Sequence, residues 1–313
     1  MAKAVVATGF GGPENLSVVD VDVPDPGPGQ VTVEPRAIGV NPIDFKLYSG
    51  AFGEDPGKLP MRLGHELAGV VTAAGPDAHG KDGPLAVGDE VVVHPAPGAY
   101  ASAVTVSAAN AVSKPAEVSW QDAAGLLLAG STAVHMLSLT GTPHGKTLLV
   151  HGVSGAVGLL AAQLALEAGS EVVGTAGESR HAALRERGIT PVAYGPGLTD
   201  RVRAAAPSEV VGVVDAVGTD EAIDTSLELV DPERIVTAAA FHRADDGIKP
   251  VGGGPGADPG TEVRGNAWRR LFQLAAQGRL ELPIARTFPL TEAAEAHRLS
   301  IDGHPGGKLV LLP

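Results

Sequence analysis

Three glycines at G-x-x-G-x-x-G spacing stand in the stretch Leu148-Leu149-Val150-His151-Gly152-Val153-Ser154-Gly155-Ala156-Val157-Gly158-Leu159. A hydrophobic run enters them and an apolar helical run leaves them. Glycine permits a tight strand-to-helix turn and lets backbone amides approach a pyrophosphate at the positive end of the helix. The spacing is not the commoner G-x-G-x-x-G, and a ligand-free turn has the same appearance. Its position, opening the first of five strand–helix units, favours dinucleotide binding through Gly152, Ser154, Gly155, Ala156, Val157 and Gly158. The choice of dinucleotide is read one strand later, where an acid would hold a ribose 2′-hydroxyl. Val172-Val173-Gly174-Thr175-Ala176 has no acid at its tip. Ser179 and Arg180 follow, and Tyr194 ends the third strand. The planar fork of Arg180 suits a 2′-phosphate, although Glu178 beside it works against one. The expected cofactor is therefore NADP(H), with Gly174, Ser179, Arg180 and Tyr194 contributing.

A second group of reactive side chains lies in Gly39-Val40-Asn41-Pro42-Ile43-Asp44, followed by Lys46 and Tyr48. Lys46 or Tyr48 can give a proton or hydrogen bond to a reduced product. Both also suit the surface of a short helix. His65, in Gly64-His65-Glu66-Leu67-Ala68-Gly69-Val70-Val71, reads as a pocket-wall or buried residue. The chain has no Cys, which excludes a disulfide framework, a thiol nucleophile, an iron–sulfur cluster and cysteine-bound zinc.

The elements that must position these residues come in three styles. Residues 3–114 carry short Val-rich runs broken by Pro and Gly, expected as strands at 16–23, 30–40, 66–74, 90–94 and 100–106. Ser119-Trp120-Gln121-Asp122 caps an apolar helix to about Leu139, whose most apolar window, 123–139, is shorter than a membrane span and is read as buried. Strands are then expected at 147–151, 171–174, 191–194, 210–215 and 234–240. Helices alternate with them at 156–167, 180–187, 198–206 and 221–229, the pattern of a parallel sheet with right-handed crossovers. A Gly/Pro-rich segment, 241–262, holds a short strand at 248–251. A helix at 267–277, a strand at 284–288, a helix from Thr291 and a strand at 308–312 close the chain.

The 313 residues leave room for about two domains. With 23 Lys plus Arg against 36 Asp plus Glu the net charge is −13, which argues against nucleic acid and anionic lipid as partners. The N-terminus forms no signal-peptide core, so a cytoplasmic location without membrane insertion is expected.

The order of a β domain bearing G-H-E-x-x-G-x-V, a dinucleotide fold and a short return resembles the medium-chain dehydrogenase/reductase superfamily. Its zinc alcohol dehydrogenases take one catalytic ligand from the histidine of that motif and two from cysteines. The cysteine positions here correspond to Asn41 and the neighbourhood of Leu128, neither of which ligates zinc. The four-cysteine lobe is missing between Gly88-Asp89-Glu90-Val91-Val92-Val93 and Gly98-Ala99-Tyr100-Ala101. The chain is similar instead to the zinc-independent quinone oxidoreductase (zeta-crystallin-like) branch. That similarity extends through Asp215-Ala216-Val217-Gly218 to Gly307-Lys308-Leu309-Val310-Leu311. His65 departs from many zinc-free relatives, and Lys46 stands where several have Tyr.

The resemblance implies an α/β fold in two domains. A GroES-like β-rich catalytic domain would span 1–118 with 263–313, and a Rossmann doubly wound parallel sheet binding NADP(H) would span 119–262. It implies NADPH-dependent hydride transfer, without metal, to a quinone or an α,β-unsaturated carbonyl compound. Enoyl-thioester reduction, or an NADPH-binding sensor or structural role with incidental turnover, is the alternative. Asn41 and Thr132 are expected near the nicotinamide, Asn41, Lys46 and Tyr48 as catalytic residues, and Val217 and Lys308 at the cofactor, Lys308 on a phosphate. A homodimer is expected, with residues 247–253 as its edge.

Overall fold

In the first third of the chain, alternating Val and polar residues form strands half-buried on one sheet face, with Pro and Gly marking where each ends. The computed structural model describes residues 1–141, 144–254, 256–303 and 305–313. Its strands there are β1 (Ala2–Ala7), β2 (Leu16–Val21), β3 (Gln30–Val40), β4 (Met61–Arg62), β5 (Leu67–Ala74), β6 (Glu90–Val93), β7 (Val104–Ser107) and β8 (Ala111–Ser113), with helix α1 at Pro42–Lys46. Helix α2 (Trp120–Thr140) follows.

The strand–helix part comprises β9 (Thr147–His151), α3 (Ala156–Glu167), β10 (Glu171–Thr175), α4 (His181–Glu186), β11 (Thr190–Val192), α5 (Leu198–Ala205), β12 (Val210–Asp215), α6 (Asp220–Leu227), β13 (Ile235–Thr237) and β14 (Lys249–Pro250). Helices α7 (Thr261–Asn266) and α8 (Trp268–Ala276) precede the return, made of β15 (Ile284–Pro289), α9 (Ala293–Ile301) and β16 (Lys308–Leu312).

Contacts divide the chain into two compact units, Met1–Leu128 with Leu282–Pro313 and Ala129–Glu281. The boundaries expected at 119 and 263 move to 129 and 282. Helix α2 runs unbroken through the first of these positions. Helices α7 and α8 fold with the strand–helix part, Leu271 of α8 lying against Gly130 of α2.

In unit 1 the seven-stranded sheet has the order β15-β16-β3-β5-β6-β8, with β7 also on β3, and β2-β1-β4 form a smaller sheet. Val31, Val33, Ile38, Leu67, Val91, Val93, Leu309 and Leu311 fill its core, each such side chain contributing about 1.5–3 kcal/mol on burial. The antiparallel register of β16 on β3 sets Leu309 opposite Val40 and so brings Lys308 beside Asn41. The strand expected at 100–106 is confined to β7, because Tyr100 turns into the core.

In unit 2 the six strands are all parallel in the order β11-β10-β9-β12-β13-β14. This is the doubly wound order 3-2-1-4-5-6, whose direction of winding reverses at β9. Strand β13 ends earlier than expected because the Thr237 hydroxyl accepts from the amides of Ala239 and Ala240 and turns the chain. Helix α2 has 21 residues, long and apolar enough to cross a membrane by composition. Its ends lie within about a residue of those expected, and 72% of its most apolar window is buried inside the protein.

Candidate active site

Unit 2 presents backbone groups at the carboxyl end of β9. Gly152 has φ +73°, and a side chain there would also strike Val217 at 2.5 Å. A Cβ on Gly158 would come within 2.4 Å of the Gly152 carbonyl oxygen, so only glycine lets α3 sit this close to the turn. Gly155 caps α3 without a side-chain hydrogen bond. The first-turn amides of Ala156 and Val157 have no intrahelical acceptor, and the helix dipole favours an anion beside them. Gly174 is packed under Val153, leaving no room for a side chain.

The turn rests on a directional chain of buried hydrogen bonds. The Gly152 amide donates to Thr175 Oγ1 (3.1 Å), which pairs with His151 Nδ1 (3.2 Å). His151 Nε2 pairs with Ser226 Oγ (3.1 Å), whose proton goes to the Ala222 carbonyl (2.6 Å). Since Ser226 donates onward, it must accept from Nε2–H, so Nδ1 accepts from Thr175. Burial pushes the His151 pKa down to about 4, against the pull of Asp215 and Glu221, and the ring is neutral as this chain requires. At the tip of β12, Asp215 Oδ1 accepts from the amides of Val217 and Gly218, and Oδ2 accepts from Thr237. Val217 is exposed there.

Ser179 and Arg180 lie exposed on a single turn after β10, and the Arg180 amide donates to the Gly177 carbonyl. The exposed Tyr194 sets its hydroxyl 3.6 Å from where a Gly177 Cβ would stand. The structure thus gathers Ser179, Arg180 and Tyr194 around Gly177. Thr132 is buried on α2 within unit 2.

Unit 1 presents side chains. Glu66 is fully buried and is met by Lys308 Nζ at 2.7 Å and Asn41 Nδ2 at 3.0 Å on Oε1, and by the Leu128 amide at 2.9 Å on Oε2. Lys308 also donates to Asn41 Oδ1 at 2.6 Å. Burial alone would raise the Glu66 carboxyl; Lys308, with His94 and the hydrogen bonds, overrides it and holds it below the usual range.

These contacts correct two expectations and bear on a third. The Asn41 amide is engaged inside the unit, Oδ1 by Lys308 and Nδ2 by Glu66, with one acceptor site on Oδ1 still open. Lys308 is neither on a cofactor phosphate nor in solvent, because it is the buried counter-ion of Glu66. Tyr48 is fully buried, its hydroxyl 2.7 Å from His297 Nδ1, with burial and the nearby Glu14 and Asp44 charges pushing its pKa up. It is unsuited to giving a proton to a substrate. Lys46 ends α1 half-buried.

Alongside runs a second array. Asp44 is fully buried and accepts from the Asn41 amide (2.8 Å) and the Tyr100 hydroxyl (3.0 Å) on Oδ2, and from His65 Nδ1 (2.5 Å) on Oδ1. Tyr100 spends its one proton on Asp44, so its oxygen accepts from His297 Nε2–H at 3.0 Å. His297 Nδ1 then accepts from Tyr48. Burial pushes the His297 pKa down to about 4, against the pull of Asp44. For His65 burial also opposes the charged form, but the hydrogen bond and charge of Asp44, with Glu66, raise its pKa overall. Sequence reasoning left Glu66, Tyr100 and His297 without a role. Among the described residues no group of three or more His, Asp or Glu side chains is placed to hold a metal ion.

A chain that combines a doubly wound cofactor-type sheet with a β-rich unit completed by the chain's return has the make-up of a two-domain dehydrogenase/reductase. Residues 27–131 match the alcohol dehydrogenase GroES-like domain model, and residues 188–311 match the zinc-binding dehydrogenase model. Quinone oxidoreductase of Pseudomonas aeruginosa is 32% identical over the whole of both chains. The 2-haloacrylate reductase of a Burkholderia species is 30% identical, over 100% of this chain and 99% of that one. The solved structure of Escherichia coli quinone oxidoreductase complexed with NADPH superposes with a TM-score of 0.86 over both chains in full, at 27% identity. The chain belongs to the quinone oxidoreductase family of medium-chain dehydrogenases/reductases.

Proposed function

We propose that the chain is an NADPH-dependent oxidoreductase that reduces quinones or α,β-unsaturated carbonyl compounds without a metal. The observation that carries this reading is the turn of Gly152 to Gly158, where α3 begins at the reversal point of the sheet with uncapped amides and no room for side chains. Those amides fit a pyrophosphate. Ser179, Arg180 and Tyr194 around Gly177 fit a 2′-phosphate, at a strand tip that carries no acid. The NADPH complex of the E. coli relative supports the same cofactor. When bound, NADPH supplies the hydride.

The chain's part is to hold the cofactor on unit 2 and to stabilise the charge that develops on the acceptor. The quinone oxidoreductase relatives favour a quinone acceptor, whereas the 2-haloacrylate reductase favours a conjugated carbonyl. A homodimer through residues 247–253, where β14 ends the sheet, is part of this reading, and sedimentation at micromolar concentration tests it.

The deciding experiment is oxidation of NADPH beside NADH by the purified protein with quinones, enones and one enoyl thioester, with and without a chelator. Chelator-resistant turnover with NADPH preferred is the expected result. Binding of NADPH without turnover of any acceptor would replace the enzyme with a cofactor-binding protein.

A further inference from the structure

Resting on that reading, we infer that Asp44 and His65 form an acid dyad in which His65 Nε2–H delivers the proton that completes reduction of a conjugated carbonyl. Four features of unit 1 carry it. His65 is the one member of the Asp44–Tyr100–His297–Tyr48 array that reaches solvent, its side chain 27% exposed while Asp44 is fully buried. Its Nδ1 is fixed on Asp44, so Nε2, on the opposite edge of the ring, faces away from the array, and no described residue hydrogen-bonds to it. Asp44 cannot rotate to release the ring, because the Asn41 amide and the Tyr100 hydroxyl hold its other oxygen. Tyr100 in turn is fixed by neutral His297 and Tyr48. An oriented imidazole with a buried carboxylate behind it and an open nitrogen in front has the geometry of a general acid.

The groups that face His65 sort by charge. Asp44 from α1 and Glu66 beside it in the chain favour the imidazolium. Glu66 is itself neutralised by Lys308 of β16. His94, following β6, donates from Nδ1 to the His65 carbonyl, and burial pushes its own pKa down, so it adds little opposing charge. The net effect is a His65 pKa above the ordinary value. The acid form thus persists to higher pH than in an ordinary imidazole and is lost as pH rises through that raised value.

The step balances. Hydride from the cofactor forms a C–H bond at the β-carbon with two electrons, and the displaced π pair moves to the carbonyl oxygen. The Nε2–H bond of His65 breaks and its proton passes to the resulting enolate. Neutral His65, still bonded to Asp44, is reprotonated by solvent. A quinone needs this proton less, since a hydroquinone anion takes one from water.

Tyr100 and His297 are positioning residues. The test compares wild type, His65→Gln and Tyr100→Phe with one enone and one quinone across pH 5–9, with NADPH affinity measured separately by fluorescence. We expect kcat for the enone to fall about 10²-fold in His65→Gln, with a smaller loss for the quinone. The fall of enone kcat at high pH seen in wild type should disappear, and NADPH affinity should not change. Tyr100→Phe, which keeps the ring but removes the Asp44 contact, should shift the pH profile without abolishing turnover. His65→Gln with wild-type enone kcat and the same pH profile overturns the dyad and leaves the reductase reading intact. Wild type that binds NADPH but reduces neither acceptor overturns both.

Discussion

The two units bring opposite kinds of group to their sites. In unit 2 the glycine turn is made of backbone, with side chains buried behind it: Thr175 and His151 under Gly152, and Asp215 holding the amides of Val217 and Gly218. In unit 1 the exposed group is the side chain of His65, and a carboxylate pinned by a backbone amide stands behind it. In each unit a neutral buried histidine, His297 or His151, relays a hydrogen-bond chain through its two ring nitrogens in a single direction. A site made of backbone follows the path of the chain and is written in residues a few positions apart. A site made of side chains is assembled by tertiary pairing and tolerates any sequence separation.

The largest effect should come from the closed cluster of unit 1. Lys308→Met leaves the Glu66 carboxylate buried with only amides to meet it, and should cost about 3–5 kcal/mol. Adding Glu66→Gln removes the stranded charge and should restore much of that loss in urea unfolding. A single variant that loses less than about 1 kcal/mol would show that water reaches Glu66.

Acid should weaken both units next. His151 and His297 have folded pKa values of about 4 against about 6.5 in the unfolded chain. Between those values the unfolded state binds protons that the native state refuses. Stability is therefore complete above pH 6.5 and falls as pH drops to about 4, by up to roughly 3 kcal/mol per histidine. His65 runs the other way: its contribution is complete below pH 6.5 and is lost as pH rises through its raised value. Urea midpoints for wild type, with His297→Gln and His151→Gln as controls, measure how the acid loss divides between the units.

Gly158→Ala should separate the units more finely. Its Cβ meets the Gly152 carbonyl, and pushing α3 back should weaken NADPH about tenfold while the pH profile set by His65 stays in place. Equilibrium binding beside enone kinetics reads both. Arg180→Ala, at an exposed site, should have the smallest effect, lowering the preference for NADPH over NADH about fivefold. An unchanged preference would reassign the 2′-phosphate to Ser179 and Tyr194.

The same contrast explains what could be read from the residues. Thr147–His151, Ala156–Glu167 and Val210–Asp215 were legible to the residue, since buried parallel strands and helices punctuated by glycine carry their periods openly. The expected cofactor turn needed only local spacing. Asn41, Tyr48 and Lys308 were singled out as reactive and expected at cofactor or substrate, while the partners each has inside the protein went unread. Lys308 finds Glu66 242 positions away and Tyr48 finds His297 249 positions away. Neither pairing leaves a trace in spacing; the first follows from the register that seats β16 on β3, the second from the packing of α9 against α1. The alternation of β-strand faces hid a further distinction. His65 and Glu66 are neighbours just before β5, yet one opens to solvent and the other is sealed.

The Lys308–Glu66 pair also sets an order of events during synthesis. Glu66 leaves the ribosome with β3 and β5, while its counter-ion is encoded after the whole of residues 129–281. Until Lys308 emerges, unit 1 has an open edge on β3 and a carboxylate it cannot enclose as an ion. Unit 2 holds its residues in one uninterrupted stretch and can complete while the first sheet waits. The last strand therefore works as a closing signal, and a nascent chain cut short before residue 308 offers its unpaired edge to chaperones and to its neighbours.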